Sequence, residues 1–332
     1  MQNPGHMISR RRWLAAAGAT AVLLGLQRPA GAQVGAFPMG PVRFVVPFPA
    51  GTGTDMYARA VAKALADATG KPVVVDNKPG ANGVIGVQAV LQAPADGHTV
   101  LFGSSSTLST NAAVIRQLPY DPLKDLAPVS LVARAPCVVA VPANSPHRTL
   151  DDLLADARKR PGELNYGSAS PGYTLYTEWL GELAGTKAAN ITFKGSGEVM
   201  TALAGGQIDF AVLDVTAAVP LIKGGRLRAL AYTDAARSPL LPDVPTSAEA
   251  GVAQFLAYTW TAAAVSAKTP PARVQQLESL FRRAGASREL QELTTRHAIK
   301  PLMTTGEELR QYQVDEIARW KRLAAVAGLV QD

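Results

Sequence analysis

The chain has 332 residues, enough for two domains of ordinary size, and 47% of them are hydrophobic, ample for packed cores and contrary to intrinsic disorder. Its formal charge of +7 overstates its basicity, because residues 1–32 carry four arginines and no acid, which leaves 29 cations against 26 acids, a net +3, in the remainder. That balance gives no reason to expect nucleic acid or a membrane surface as partner, and a single cysteine, Cys137, excludes an intramolecular disulfide.

The N-terminal stretch "SRRRWLAAAGATAVLLGLQRPAGAQ" reads as an export signal. Arg10, Arg11 and Arg12 form a basic head, residues 13–26 an apolar run too short to span a membrane, and Ala30-Gly31-Ala32 a cleavage pattern ending after Ala32. Ser9-Arg10-Arg11-Arg12-Trp13-Leu14 also resembles a twin-arginine signal. An ordinary secretion signal is the other reading, and either one predicts a periplasmic protein.

From Arg43 the pattern alternates β and α. Strand "RFVV" runs through the loop "PFPAGTGTD" into a helix over residues 55–69, closed by Gly70. Strand "PVVVD", the loop "NKPGANG", a helix over 84–92 and strand "HTVLFG" follow, the last running into a serine-rich stretch. "TLDDLLADARKR" predicts a helix with Thr149 as N-cap and acids in its first turn. "LNYGS", "ANITFKG" and "QIDFAVLD" read as strands, with helices after residue 173 and over 196–204. "RLRALAYTD" continues the alternation, and from "PARVQQLESLFRRA" onward the chain is mostly helical.

Such alternation predicts an α/β fold with parallel sheets and helices on both faces. Two long extended segments, near 128–141 and 254–266, are placed to cross between two lobes. Residues 33–137 with 258–332 then form one lobe, and residues 138–257 the other.

Catalytic patterns are weak. After residue 32 there are three histidines, with none paired at metal-ligand spacing, so no metal or other cofactor is expected. His98 reads as a turn or strand-edge residue, and His147 and His297 as solvated. "GTGTDM" lacks the third glycine of a dinucleotide loop, and Pro171 stands where a G-x-S-x-G elbow needs its last glycine. Cys137, in "APCVVAVP", reads as a small core residue. The alternative to a binding protein is an exported serine hydrolase using Ser105 or Ser168, for which serine density at strand ends is the sole motive.

What remains is a set of Gly/Ser/Thr loops at the C-terminal ends of strands, where open α/β sheets bind ligands. Helix N-termini there offer unpaired N–H groups and partial positive charge, which favour an anion. For the loop of residues 50–55 taken alone, a plain turn capped by Thr54 or Asp55 is the rival reading. Asp55 reads as a cap paired with Arg59 at i+4. A similar loop at 168–174 in the other lobe makes the pair a candidate clamp for a carboxylate.

At these residues the chain resembles the receptors of tripartite tricarboxylate transporters, the Bug or TctC-like family. "VPFPAGTGTDMYAR" is similar to the family's P-F-x-A-G-G-x-T-D-x-x-A-R, and "VVVDNKPGANGVIG" to its V-x-N-x-P-G-A-x-G-x-I-G. "APADGHTVLFGSSS", "LPYDPLKDLAPVSLVA", "FKGSGEVMTALAGGQIDF" and "GGRLRALAYTDAARSPLLPDVPTSAEAG" match later blocks in order.

The resemblance implies a two-lobed, type II periplasmic-binding-protein-like α/β fold that closes on a small carboxylate, with no catalytic activity. By that likeness Phe48, Gly51, Thr52, Gly53, Thr54 and Asp55 line the pocket from the first lobe, joined by Ser104, Ser105, Ser106 and Thr107. Ser168, Ser170, Gly172, Tyr173, Thr174, Asp214 and Thr216 line it from the second. It also implies a monomer whose partners are the transporter's integral-membrane subunits, or else a sensor protein. Thr52 stands where the family has a second glycine, and "SASPGYTLYTEW" lacks the family's histidine. Tyr173 either closes on a ring-bearing ligand or packs under its loop.

Overall fold

The computed structural model describes residues 1, 37–297 and 300–330; the expected export signal and its cleavage site lie outside these residues. From Pro38 onward the chain opens with strand β1 (Val42–Val46), helix α1 (Gly53–Thr69), strand β2 (Val73–Asn77), helix α2 (Val84–Leu91) and strand β3 (Thr99–Ser104). β2, β1 and β3 are parallel neighbours in that order. A wide, π-type turn at Ser106–Thr110 and the short helix α3 (Asn111–Val114) follow, where the sequence shows only a polar run. Strand β4 (Leu126–Pro142) then leaves for the second lobe.

There the order is α4 (Leu150–Lys159), β5 (Asn165–Ser168), α5 (Pro171–Ala184), β6 (Ala189–Thr192), α6 (Ser196–Ala204), β7 (Ala211–Asp214), α7 (Val215–Lys223) and β8 (Leu227–Tyr232). Thr149 caps α4 in a reciprocal capping box with Asp152. β9 (Tyr258–Ser266) returns to the first lobe, which ends in α8 (Pro271–Gly285), α9 (Arg288–His297), β10 (Lys300–Pro301) and α10 (Gly306–Ala327).

The sheets are mixed, not parallel as the alternation predicts. β9 is antiparallel to both β3 and β4, and β4 is antiparallel to β7 and β8. The reason is topological: a chain that crosses between lobes on one strand must come back on a strand of opposite sense. β4 and β9 are those two crossings, side by side from the Leu126↔Ser266 pair to Pro136↔Tyr258.

β4 shows why the second lobe holds together. Cys137, Val139 and Val141 enter one core with Leu150, Leu153 and Leu180, while Val138 and Ala140 enter another with Val199, Leu203 and Ala218. Successive strand residues face opposite ways, so an unbroken apolar run serves a sheet covered on both faces. The free Cys137 belongs to this packing, and burial pushes its thiol pKa up, away from reactivity. In the first lobe Phe44, Phe102 and Phe281 stack at 5.5–6.5 Å between sheet and α8. α10 joins both cores, with Leu309 in the first lobe and Trp320, Leu323 and Ala324 in the second.

His147 is not solvated: it is buried, with Nε2 2.9 Å from Asp156 Oδ2 and Nδ1 3.2 Å from Ser145 Oγ. His98, half-buried, precedes β3 beside Asp96, whose carboxylate accepts the His98 N–H. The His297 side chain lies outside what the structure describes.

Candidate functional site

The loop between β1 and α1 is held from behind. Gly51 adopts φ +83°, open to glycine at little cost, and its N–H donates to Asp55 Oδ2 at 2.9 Å. Asp55 also accepts from Arg59 Nε at 3.0 Å and Asn77 Nδ2 at 2.9 Å, and Asn77 donates to the Phe48 carbonyl as well. Burial raises the Asp55 pKa, but the bonds from Arg59, Gly51 and Asn77 outweigh it and hold the carboxyl below its usual range. α2 presses on the same loop, and a Cβ on Gly86 would come within 2.6 Å of Pro47 Cβ. The N-cap of α1 is Thr52 rather than Thr54 or Asp55: its Oγ1 accepts from the Asp55 N–H at 3.4 Å and donates to the Pro49 carbonyl at 2.9 Å.

This loop faces one wall of a cavity of about 410 Å³, within the range of about 300–1,000 Å³ usual for small-molecule sites. Phe48, Thr52, Gly53 and Thr54 line it from the first lobe, with Ser104, Ser105 and Ser106 after β3. Ser170, Gly172, Tyr173 and Asp214 line it from the second. Ser170 is the N-cap of α5, with Pro171 in the first turn, so the starts of α1 and α5 open onto the same space.

The other expected residues lie behind these walls. Thr107 is fully buried, exchanging hydrogen bonds with the Ser104 backbone. Ser168 and Thr174 are buried and bonded to each other at 2.9 Å, and Ser168 Oγ donates to Asn190 Oδ1. Thr216 gives its N–H to Asp214 Oδ1 at 2.8 Å. Gly51 and Asp55 brace the loop from within, as above. No histidine lines the cavity, and among the described residues no group of three His, Cys, Asp or Glu side chains is placed to hold a metal.

The cavity also has a floor that the sequence pattern does not reveal. It comes from the two crossing strands: Ala133, Arg134 and Ala135 of β4, and Thr259, Trp260 and Thr261 of β9. Tyr57 in α1, Tyr176 in α5 and Ser196 at the start of α6 complete the lining. A single cation inside the otherwise apolar "SLVARAPCVV" was the available signal for Arg134. Its guanidinium lies 4.2 Å from the centre of the Tyr258 ring.

Asp214 is the acid of the lining. It caps α7, with Oδ1 accepting from Thr216 and Ala217 and Oδ2 from Thr259 Oγ1 at 3.2 Å. Burial raises its pKa against these bonds. The helix N-terminus and three donors thus occupy an acid that would otherwise repel an anion.

Residues 57–329 match the family model described as the tripartite tricarboxylate transporter family receptor. The chain is 35% identical to the BugT protein of Bordetella pertussis over 97% of each chain. An adipate-bound protein of R. palustris superposes with TM-score 0.75 at 33% identity, covering 88% of this chain and 98% of that one. The periplasmic binding protein BugD superposes with TM-score 0.73 at 29% identity, over 89% and 100%. The two-lobed periplasmic-binding-protein architecture, the cavity between its lobes and these matches lead to one assignment: the chain belongs to the tripartite tricarboxylate transporter family of solute-binding receptors.

Proposed function

We propose that this receptor is exported, cleaved after Ala32, and captures a small carboxylate in the inter-lobe cavity for delivery to the integral-membrane subunits of a tripartite tricarboxylate-type transporter. The lobes comprise residues 33–137 with 258–332, and residues 138–257. The observation that carries the reading is the pair of helix starts, α1 and α5, opening from different lobes onto one cavity of about 410 Å³. Hydroxyls and amides at Thr54, Ser104, Ser105, Ser106 and Ser170 supply donors for an anion. The site needs no cofactor, since capture asks only for hydrogen bonds and closure. The adipate held by the R. palustris relative supports the ligand class.

Each hydrogen bond to a charged group contributes about 1.5–3 kcal/mol. Four of them, with two helix starts at up to about 2 kcal/mol each, can exceed the roughly 8 kcal/mol of micromolar binding and leave something against association costs. A thermal-shift screen of mono-, di- and tricarboxylates against the mature protein tests this. Stabilisation by at least one acid, rising with its concentration, is the expected result; a flat response to all of them sinks the proposal.

A further inference from the structure

Two buried hydroxyls at the cavity lack a partner. Among the described residues, Tyr57 Oη and Thr261 Oγ1 border this space and neither makes a hydrogen bond. Buried hydroxyls are almost always paired, and one left unpaired carries a cost that a ligand can remove. Tyr57 is only 3% exposed, so bulk water does not serve its hydroxyl.

Strand register places the two groups on one side of the sheet. Residues directly paired in an antiparallel ladder share a face, and successive residues alternate. Thr261 pairs with Ser104 and Ala133, and Thr259 with Ala135, so these side chains project together. Phe102, two residues before Ser104, shares that face and stacks on Phe281 of α8, against which α1 also packs. Tyr57 of α1 therefore meets the sheet from the side on which Thr261 projects. Lying four and three residues after Gly53 and Thr54, it continues the face of α1 that opens onto the cavity. Arg134 pairs with Trp260 and projects to the opposite face, over Tyr258.

The charged group on the Tyr57 side is Asp214. Thr259, on the same face as Thr261, donates to its Oδ2 at 3.2 Å. Burial and the Asp214 charge both raise the Tyr57 pKa, which keeps that hydroxyl a proton donor. A second carboxylate placed here would meet Asp214 with no lining cation on this face to offset it. A hydroxyl brings no charge, and it can both accept and donate, as the unpaired groups require.

We infer that the ligand is a hydroxy-monocarboxylate, whose carboxylate meets the helix starts and serine donors and whose hydroxyl meets Tyr57, with Thr261 on the same side. This rests on the carboxylate reading above and adds the second polar group. Tyr57 is the specificity-determining residue.

Calorimetric titration of the mature protein on two scaffolds tests it. One set is butanoate, its 2-, 3- and 4-hydroxy derivatives, 4-aminobutanoate and butanedioate. The other is benzoate, its three hydroxy isomers and the three benzenedicarboxylates. On at least one scaffold a hydroxy acid is expected to bind about tenfold or more tightly than both the unsubstituted acid and the diacids. Tyr57→Phe is expected to cut the preference for hydroxy over unsubstituted acid about tenfold. Thr261→Val should cut it a few-fold, and it answers the question if Tyr57→Phe folds poorly. Each substitution deletes a hydroxyl that nothing in the protein bonds, so both variants should melt at or above the parent without ligand. Lower melting of both would show hydroxyls already satisfied by the fold, and overturns the inference. So does a diacid or 4-aminobutanoate that matches every hydroxy acid of its scaffold, no preference for a hydroxy acid on either scaffold, or a preference unchanged in Tyr57→Phe. Each of these leaves the receptor reading intact. Failure of every acid to bind overturns both.

Discussion

Thr52 occupies the position where the family carries a second glycine, which invites the idea that its side chain selects ligand. The hydrogen bonds argue otherwise. Its hydroxyl hydrogen is given to the Pro49 carbonyl and its oxygen accepts the Asp55 N–H, so both functions of the hydroxyl serve the cap. Thr52→Ala is expected to cost about 1 kcal/mol and Thr52→Gly only a few tenths, a Tm fall of about 2–4 °C for the former. Both variants should rank a panel of carboxylates as the parent does; a changed ranking in calorimetry would assign the side chain a selective role. At this scale the loop residues were legible, because Gly, Ser and Thr between a strand and a helix have a recognisable chemistry. Arg134, Thr259, Trp260 and Thr261 were not, because they sit inside strands whose apolar pattern reports burial and not what the strand crosses. Tyr57 reads as one more apolar position on α1, and only the folded cavity distinguishes it from the core.

Among the elements, α10 has the clearest electrostatic consequence. Its Glu316 is buried and accepts from Trp260 Nε1 at 3.0 Å to each oxygen, placing an acid directly behind the cavity floor. Burial pushes its pKa up to about 7, against the hydrogen bond from Trp260. A carboxyl raised in the folded state favours folding when protonated. Its contribution is complete below the ordinary value of 4.5 and is lost as pH rises through about 7. Glu316→Gln keeps an acceptor for the indole and removes the titration. The variant should therefore melt higher than the parent at pH 8, by roughly 1–3 kcal/mol, and match it more closely at pH 5. Parallel melting curves across that range would contradict the assignment. The element map also shows where sequence reading fails in physical terms. Helices with caps and amphipathic faces are locally specified, as Thr149 and Asp152 are for α4. Strand direction is set by partners far away, so β4 and β9 read as extended segments without revealing that they run antiparallel.

For the whole molecule, the two crossing strands and α10 define how the lobes relate. β4 and β9 carry the floor, and α10 packs into both cores, so closure bends a connection that is already clasped from one side. Gly172, in the first turn of α5, faces the opposite lobe across the cavity. A Cβ built there meets only Ser170 Oγ at 3.8 Å and Thr110 Oγ1 at 3.9 Å, and Thr110 belongs to the turn after β3 in the first lobe. With Thr110 already 3.9 Å from that Cβ, a tryptophan at this position needs the lobes to stand further apart. Gly172→Trp leaves the core of each lobe untouched and should still fold, its indole accommodated by a wider separation of the lobes. A bound acid at a hundredfold its Kd stabilises the parent by about 2.7 kcal/mol, and most of that gain should vanish in the variant. Small-angle scattering separates the causes. The parent should contract when ligand is added, and Gly172→Trp should not; contraction of the variant to the same radius would show that capture does not depend on bringing α5 against the first lobe.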